Sequence, residues 1–385
     1  MNDIPTTTQG ISAFRIFAPL LLALIIISVI YALGIHGEYG NLEELALGEN
    51  THAYYAKSGG IPVHCSDLRD AHICLDGFRQ RGATRAALWL GNSQLHAINQ
   101  FRAGDENAPS LLYKKLRSHG LDLLTFRQPN ANLQEHYVLF TYLQERLPVR
   151  LLILPIVFDD MRENGVRSTI GSALKDSSTR NALETTDTGR RLLFKNLGNG
   201  GDENEDTAGL AQTMQDHAER TLNGWLGTNV QAWSDRSNMR GTVFISLYKL
   251  RNFLFGIKPT TKRRLIRAIY DENLQALRSI LGRASEKDIR IVLYVVPLRN
   301  DVEPPYDLSE YEKFKQDIEN LARTNRSTLV NLENLVPAEF WGTKASTTLS
   351  EDPELDFMHF QGAGHRLLAD ALDRTIGNTT RDAGQ

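Results

Sequence analysis

The stretch AALWLGNSQLHAIN, residues 86–99, decides the fold. Its first five residues are apolar without strict alternation, which reads as a strand buried on both faces. Gly91 permits a tight turn out of that strand, and Asn92 and Ser93 are residue types that open helices. Four later runs share this character: LDLLTF (121–126), VRLLILPIVF (149–158), IRIVLYVVP (289–297) and TLVNL (328–332). Helical patterns lie between or beyond them, at 110–119, 133–145, 262–283, 309–324 and 364–374. Strand–helix alternation of this kind predicts an α/β domain, a parallel sheet with helices on both sides. The domain is placed at 85–376, with a tail at 377–385. An insertion at 168–260 interrupts it and carries the acidic loop NLGNGGDENEDTAG at 196–209.

The chain has 385 residues, 43 Lys and Arg against 46 Asp and Glu, and a net charge of −3. With 41% hydrophobic and 23% charged residues it is globular in composition, which excludes a disordered tail, a collagen or a coiled-coil rod. No basic excess marks it as a nucleic-acid binder.

Residues 16–35, IFAPLLLALIIISVIYALGI, form an uncharged run of about the length that crosses a bilayer. A secretory signal has a shorter core and a small-x-small cleavage site, neither of which is evident. The expectation is a retained transmembrane signal anchor; a cleaved signal and a buried helix are the alternatives. Arg15 precedes the run and Glu38, Glu43 and Glu44 follow it. Positive charge stays inside, so residues 1–15 are expected in the cytoplasm and the rest outside. Residues 37–84 show little regular pattern and read as a juxtamembrane segment. Cys65 and Cys74 are the only cysteines. A disulfide fits an oxidising compartment; free thiols, or a metal with His64 or His72, are the rivals.

In open parallel sheets, ligands bind at the carboxyl ends of strands. Ser93 falls there, after the first strand, beside helix N–H groups able to face a developing oxyanion. It, or Asn92, also suits a plain helix cap. Near the C-terminus stands DFMHFQGAGHRLLADAL, with Asp356 and His359 three apart. A serine nucleophile needs a base, usually histidine, and the base needs a carboxylate to fix its tautomer. His96 is a second candidate base, and His365 is expected to be solvated. Arg299, Asn300 and Asp301 follow the fourth strand, either contacting substrate or forming a turn. Trp89 and Trp341 read as core residues or sugar-stacking surfaces. Residues 243–258, VFISLYKLRNFLFGIK, have helical spacing, which fits a core-facing helix with a solvated basic end or a surface near lipid headgroups.

On Gly91-Asn92-Ser93-Gln94 and Asp356-Phe357-Met358-His359, the chain resembles the SGNH (GDSL-like) hydrolase superfamily. The resemblance spans 85–376, and only these two end blocks are specific. It implies a flavodoxin-like three-layer α/β/α fold, with Ser93 as nucleophile, His359 as base and Asp356 as its orienter. It implies no cofactor and no metal. The middle blocks depart from the family. Where a glycine usually follows the second strand, the chain has Asn130 and Asn132. Where an asparagine usually donates to the oxyanion, it has Asp159, and an ionised carboxylate cannot donate. Arg162 or Asn164 then stand as substitutes. Membrane-anchored members that work with a membrane-bound O-acyltransferase look most similar. Those implied expectations are a bacterial inner-membrane location, an extracytoplasmic domain and a polysaccharide substrate.

Overall fold

The structure is a computed structural model that describes residues 47, 50–66, 68–197, 236–350 and 352–382. The run at 16–35 and most of the acidic loop lie outside the described residues, and no described helix is long and apolar enough to cross a membrane.

The chain enters through β1 (Thr51–Ala53), β2 (Lys57–Ser58), β3 (Ile61–Pro62), β4 (His64–Cys65) and α1 (Ala71–Gln80). The strands β5 (Ala86–Gly91), β7 (Asp122–Arg127), β8 (Val149–Ile156), β9 (Arg290–Val295) and β10 (Thr328–Asn331) match the five apolar runs. Between β5 and β7 lie β6 (Ala97–Asn99) and α2 (Ala108–Ser118); α3 (Leu133–Gln144) joins β7 to β8. The insertion holds α4 (Ser168–Gly171), α5 (Ser177–Glu184), α6 (Asp187–Leu197) and α7 (Arg236–Leu254), ahead of the crossover helix α8 (Arg267–Glu286). After β9 come α9 (Leu308–Thr324) and β10, the hairpin β11 (Trp341–Lys344) and β12 (Glu354–Phe360), and α10 (Gly362–Asp382).

The main sheet runs β10-β9-β8-β5-β7-β4, and every pairing in it is parallel. Without β4, this is the 2-1-3-4-5 order of flavodoxin-like folds. The winding direction reverses after β7, so right-handed crossovers place successive helices on opposite faces. Accordingly α2 packs with α10, and α3 with α8. The centre of the ladder is apolar: Leu88, Trp89, Leu152, Ile153, Val292 and Leu293 have no solvent exposure. Burial of such side chains contributes roughly 1.5–3 kcal/mol each.

The sheet begins at residue 64, upstream of the expected boundary at 85. Two-residue strands carry no periodicity a sequence can display, and tertiary bonds fix them instead. A disulfide joins Cys65 in β4 to Cys74 in α1, which removes both thiolates as metal ligands. Arg81, just after α1, forks onto the buried Asp122 carboxylate at 2.9 and 2.7 Å. Helix α7 also departs from a core-facing arrangement: Phe244, Leu247, Leu250 and Leu254 are all exposed.

Candidate active site

Gly91 ends β5 where a Cβ would collide with the Leu95 side chain, so the turn closes tightly. Ser93–Leu95 then form one turn of 3-10 helix. Asn92 caps it, its Oδ1 accepting the Gln94 N–H at 3.0 Å. The cap and the nucleophile are therefore adjacent residues rather than alternatives. The buried Gln94 amide donates to Pro297 O at 3.1 Å and Met358 O at 2.9 Å, tying the turn to the end of β9 and to the β12 segment.

Asp356 and His359 lie within β12. In a regular strand, residues three apart face opposite sides. Here the ladder breaks: Trp341 pairs with Phe360, but Thr343 pairs with Leu355. The extra residues fold inward because Asp356 Oδ1 accepts the N–H groups of Met358 and His359 at 2.9 and 3.0 Å. That local loop brings His359 Nδ1 within 2.9 Å of Asp356 Oδ2. With its Nδ1–H donated there, Nε2 is the acceptor, 2.9 Å from Ser93 Oγ. The structure thus brings together the three residues that the two end blocks suggest.

Asn99 is a residue that sequence reasoning missed. Its Nδ2 donates to Asp356 Oδ2 at 3.1 Å and to Thr343 O at 3.1 Å. Gly342 leaves room for it; a Cβ there would collide with the Asn99 amide. Asp356 therefore collects four donors. Burial alone would push its pKa up, but the His359 charge and these hydrogen bonds hold it below the usual carboxylate range.

The middle blocks resolve differently from the expectations. Asn130 takes φ +51°, the left-handed backbone that a glycine adopts freely; it replaces the missing glycine in conformation. Asn132 is the N-cap of α3, accepting from Glu135 N at 3.0 Å and donating to Gly165 O at 2.9 Å. Asp159 is engaged by Arg263 Nη1 at 2.5 Å and the Tyr306 hydroxyl at 3.1 Å. Arg162 donates to Arg264 O at 2.7 Å, and Asn164 accepts from Gln134 at 3.0 Å. Arg299 forks onto Asp301 and donates to Gly342 O at 2.7 Å, which supports β11. Among the described residues, none of these six hydrogen-bonds to Ser93 or His359.

The group that does reach the nucleophile turn is Asp160, missed because it follows the position where the family asparagine stands. It is 6% exposed, and its Oδ2 takes a long bond, 3.4 Å, from Asn92 Nδ2. Burial, then the neighbouring Asp159 charge, push its pKa well above the usual carboxylate range. A protonated carboxyl carries an O–H donor, the property Asp159 lacks. β5 and β8 flank the point where strand order reverses, the usual ligand crevice of such sheets.

Of the two other histidines, His96 stands away from the nucleophile and His365 departs from expectation. His96 is fully buried and accepts from Arg127 Nη1 at 3.0 Å rather than facing Ser93. His365 is fully buried, not solvated; it bonds Ala108 N at 3.2 Å and Ala97 O at 3.1 Å. Trp89 and Trp341 are core residues, bonded to the Tyr294 hydroxyl and Val336 O. A cleft of about 430 Å³ opens just beyond Pro297, with a mixed lining that includes Leu298, Asn300, Asp301, Leu308, Tyr311 and Glu333. No group of His, Cys, Asp and Glu side chains able to hold a metal occurs among the described residues.

No family model and no curated protein matches this chain. Among solved structures it is similar to an acetylxylan esterase from Geobacillus stearothermophilus, at 11% identity and TM-score 0.37, covering 77% of this chain and 95% of that one. A putative arylesterase from Agrobacterium tumefaciens matches at 8% identity and TM-score 0.36, covering 76% and 99%. A putative acylhydrolase from Bacteroides fragilis matches at 11% and TM-score 0.32, covering 77% and 88%. The chemistry of the site rests on strand order and side-chain geometry, not on these scores.

Proposed function

We propose that this protein is a serine-dependent acyl-transfer enzyme of SGNH type, carried by one observation: Ser93, His359 and Asp356 form an unbroken relay with 2.9 Å at each link. Ser93 Oγ attacks an ester carbonyl while its proton passes to His359 Nε2. Asp356 stabilises the imidazolium and remains ionised. Collapse expels the alcohol, which takes that proton and leaves an acyl-Ser93. A second hydroxyl then gives its proton to His359 and attacks the acyl carbon, and His359 returns that proton to Ser93 Oγ as the serine leaves. The Ser93 N–H, in the first turn of its 3-10 helix, has no intrahelical partner. It is one oxyanion donor, and the protonated Asp160 carboxyl is the second.

The acceptor distinguishes the readings. We favour O-acyl transfer, acetyl being the simplest group, to a polysaccharide or envelope polymer outside a bacterial inner membrane. A multi-span membrane-bound O-acyltransferase would supply the acyl group, and residues 16–35 would anchor the chain. The cleft beside Pro297, with Asn300, Asp301 and Asn334 offering hydrogen bonds and Tyr311 an aromatic surface, supports a glycan acceptor. Hydrolysis by a membrane-anchored carbohydrate esterase is the second reading, with water as acceptor; a non-catalytic partner subunit is a third.

The full chain is exposed to a chromogenic acetate ester and its peptides are weighed. An acetyl adduct is expected on Ser93, accumulating in wild type and absent in His359→Ala. Equal labelling of a Ser93→Ala variant sinks the proposal. Adding an oligosaccharide then separates the readings: acetyl recovered on sugar means transferase, acetate alone means esterase. Restoration of polymer acylation in cells by Ser93→Ala favours the subunit reading.

A further inference from the structure

Helix α7 turns its apolar side outward. Ile245 and Asn252 are buried, whereas Phe244, Leu247, Leu250 and Leu254 are 58, 59, 41 and 67% exposed. These four recur at helical spacing and make one outward stripe. Gly256, at φ +62°, ends the helix, with Ile257 N–H closing on Asn252 O at 2.8 Å. Phe253 and Phe255 extend the apolar surface at that end, 60 and 76% exposed.

The same segment is strongly basic. Residues 236–268 hold nine Lys and Arg and no Asp or Glu, in a chain of net charge −3. Arg251, Lys258, Lys262, Arg264 and Arg267 are exposed. We propose that this surface rests on an anionic lipid bilayer, with the apolar stripe at the level of the acyl-chain boundary and the cations among the headgroups. An apolar face flanked by Lys and Arg is the chemistry of interfacial helices. A symmetric pairing of two copies through this face opposes it, because like patches meet in such a dimer and the cations would face cations.

The docking orients the site. The Asn252 amide donates to Thr347 O at 2.8 Å. Thr347 Oγ1 donates in turn to Glu354 at 2.8 Å, the first residue of β12. The helix is thus fastened to the strand that carries Asp356 and His359. The catalytic rim lies toward the headgroups, where a membrane-borne acyl donor arrives. This last step rests on the proposed acyl chemistry; the lipid contact does not.

A photo-cross-linking residue, p-benzoylphenylalanine, replaces Leu247 in the full-length chain. The chain is irradiated with phosphatidylcholine vesicles, with or without phosphatidylglycerol. Lipid adducts are expected at 247, increased by phosphatidylglycerol and reduced by salt. The same probe at Arg150, exposed at the amino end of β8 on the opposite sheet edge, is expected to give none. Lys258→Gln and Arg264→Gln should each reduce the adduct roughly five-fold. Cross-links to residues 198–235, to a second copy, or to no lipid overturn the proposal. A Ser93→Ala background must leave the lipid adduct unchanged, so loss of acyl chemistry and loss of docking are separate results.

Discussion

The bulge in β12 and the loop after β8 each bury a carboxyl beside the nucleophile turn, and their surroundings shift its pKa in opposite directions. Asp356 and Asp160 are 2 and 6% exposed. Asp356 has four hydrogen-bond donors, one of them the His359 imidazole whose charge it neutralises; its pKa falls. Asp160 has one long bond from a neutral amide and a carboxylate for a neighbour; its pKa rises. Burial raises both, so donors and nearby charge decide the outcome. Two neighbouring carboxyls thereby have their pKa values pulled apart, a separation that acid–base catalysis uses.

The sharpest way to break this contrast is Asp356→Asn. It keeps the shape but no longer holds the Nδ1–H tautomer of His359. Acyl-transfer rate should drop about 10⁴-fold, measured by single-turnover acetylation of Ser93, with the thermal midpoint little changed. Asp160→Ala removes a donor without touching the relay and should lower kcat about 10²–10³-fold. Asp160→Asn restores an amide donor and should keep most of the rate, and an equal loss in both variants would remove Asp160 from the oxyanion site. The raised pKa adds a stability signature. The folded state keeps Asp160 protonated after the unfolded chain has released its proton, so this group costs stability as pH rises above the usual carboxylate range. Asp160→Asn should therefore stabilise the protein at pH 7 and not at pH 3, measured by urea unfolding.

Gly342→Ala acts one step further out. A methyl group there displaces Asn99 and shifts Asp356, and a misplacement of about 1 Å costs up to about 10²-fold in rate. The steady-state rate should fall while the disulfide and the fold persist. The smallest effect concerns acid stability. Burial, with the Arg167 charge adding to it, lowers His136 to about 3; burial lowers His365 to about 3. Both stay neutral in the fold while the unfolded chain takes up protons below about 6.5. Their stabilisation is present above that pH and is lost as pH falls toward 3. Each contributes a slope on the order of 1.4 kcal/mol per pH unit. His365→Asn should flatten the decline, measured as the thermal midpoint between pH 7 and 4.

The five central strands, the helices between them and the Ser93, Asp356 and His359 positions were legible from residues alone. Strands buried on both faces announce themselves as continuous apolar runs, and Ser93, directly after one, falls at the sheet edge by topology, whereas Asp356 and His359 were legible only as an Asp-x-x-His pair. Four features were not legible. The edge strand β4 spans two residues, below any period. His365 reads as a solvated residue until its neighbours are known. Of the six expected oxyanion or substrate groups, Asn130 serves by its left-handed backbone, and the other five are hydrogen-bonded to groups away from the nucleophile. Asp160 and Asn99 carry no signal of their own, because their roles depend on residues remote in sequence. Apolar periodicity and local turn chemistry belong to short stretches of chain, so the sequence determined the alternation, the parallel sheet and the nucleophile turn. Which carboxyl is charged, which amide meets it and which face of α7 is left uncovered depend on groups brought from distant segments, and only the tertiary structure decided them.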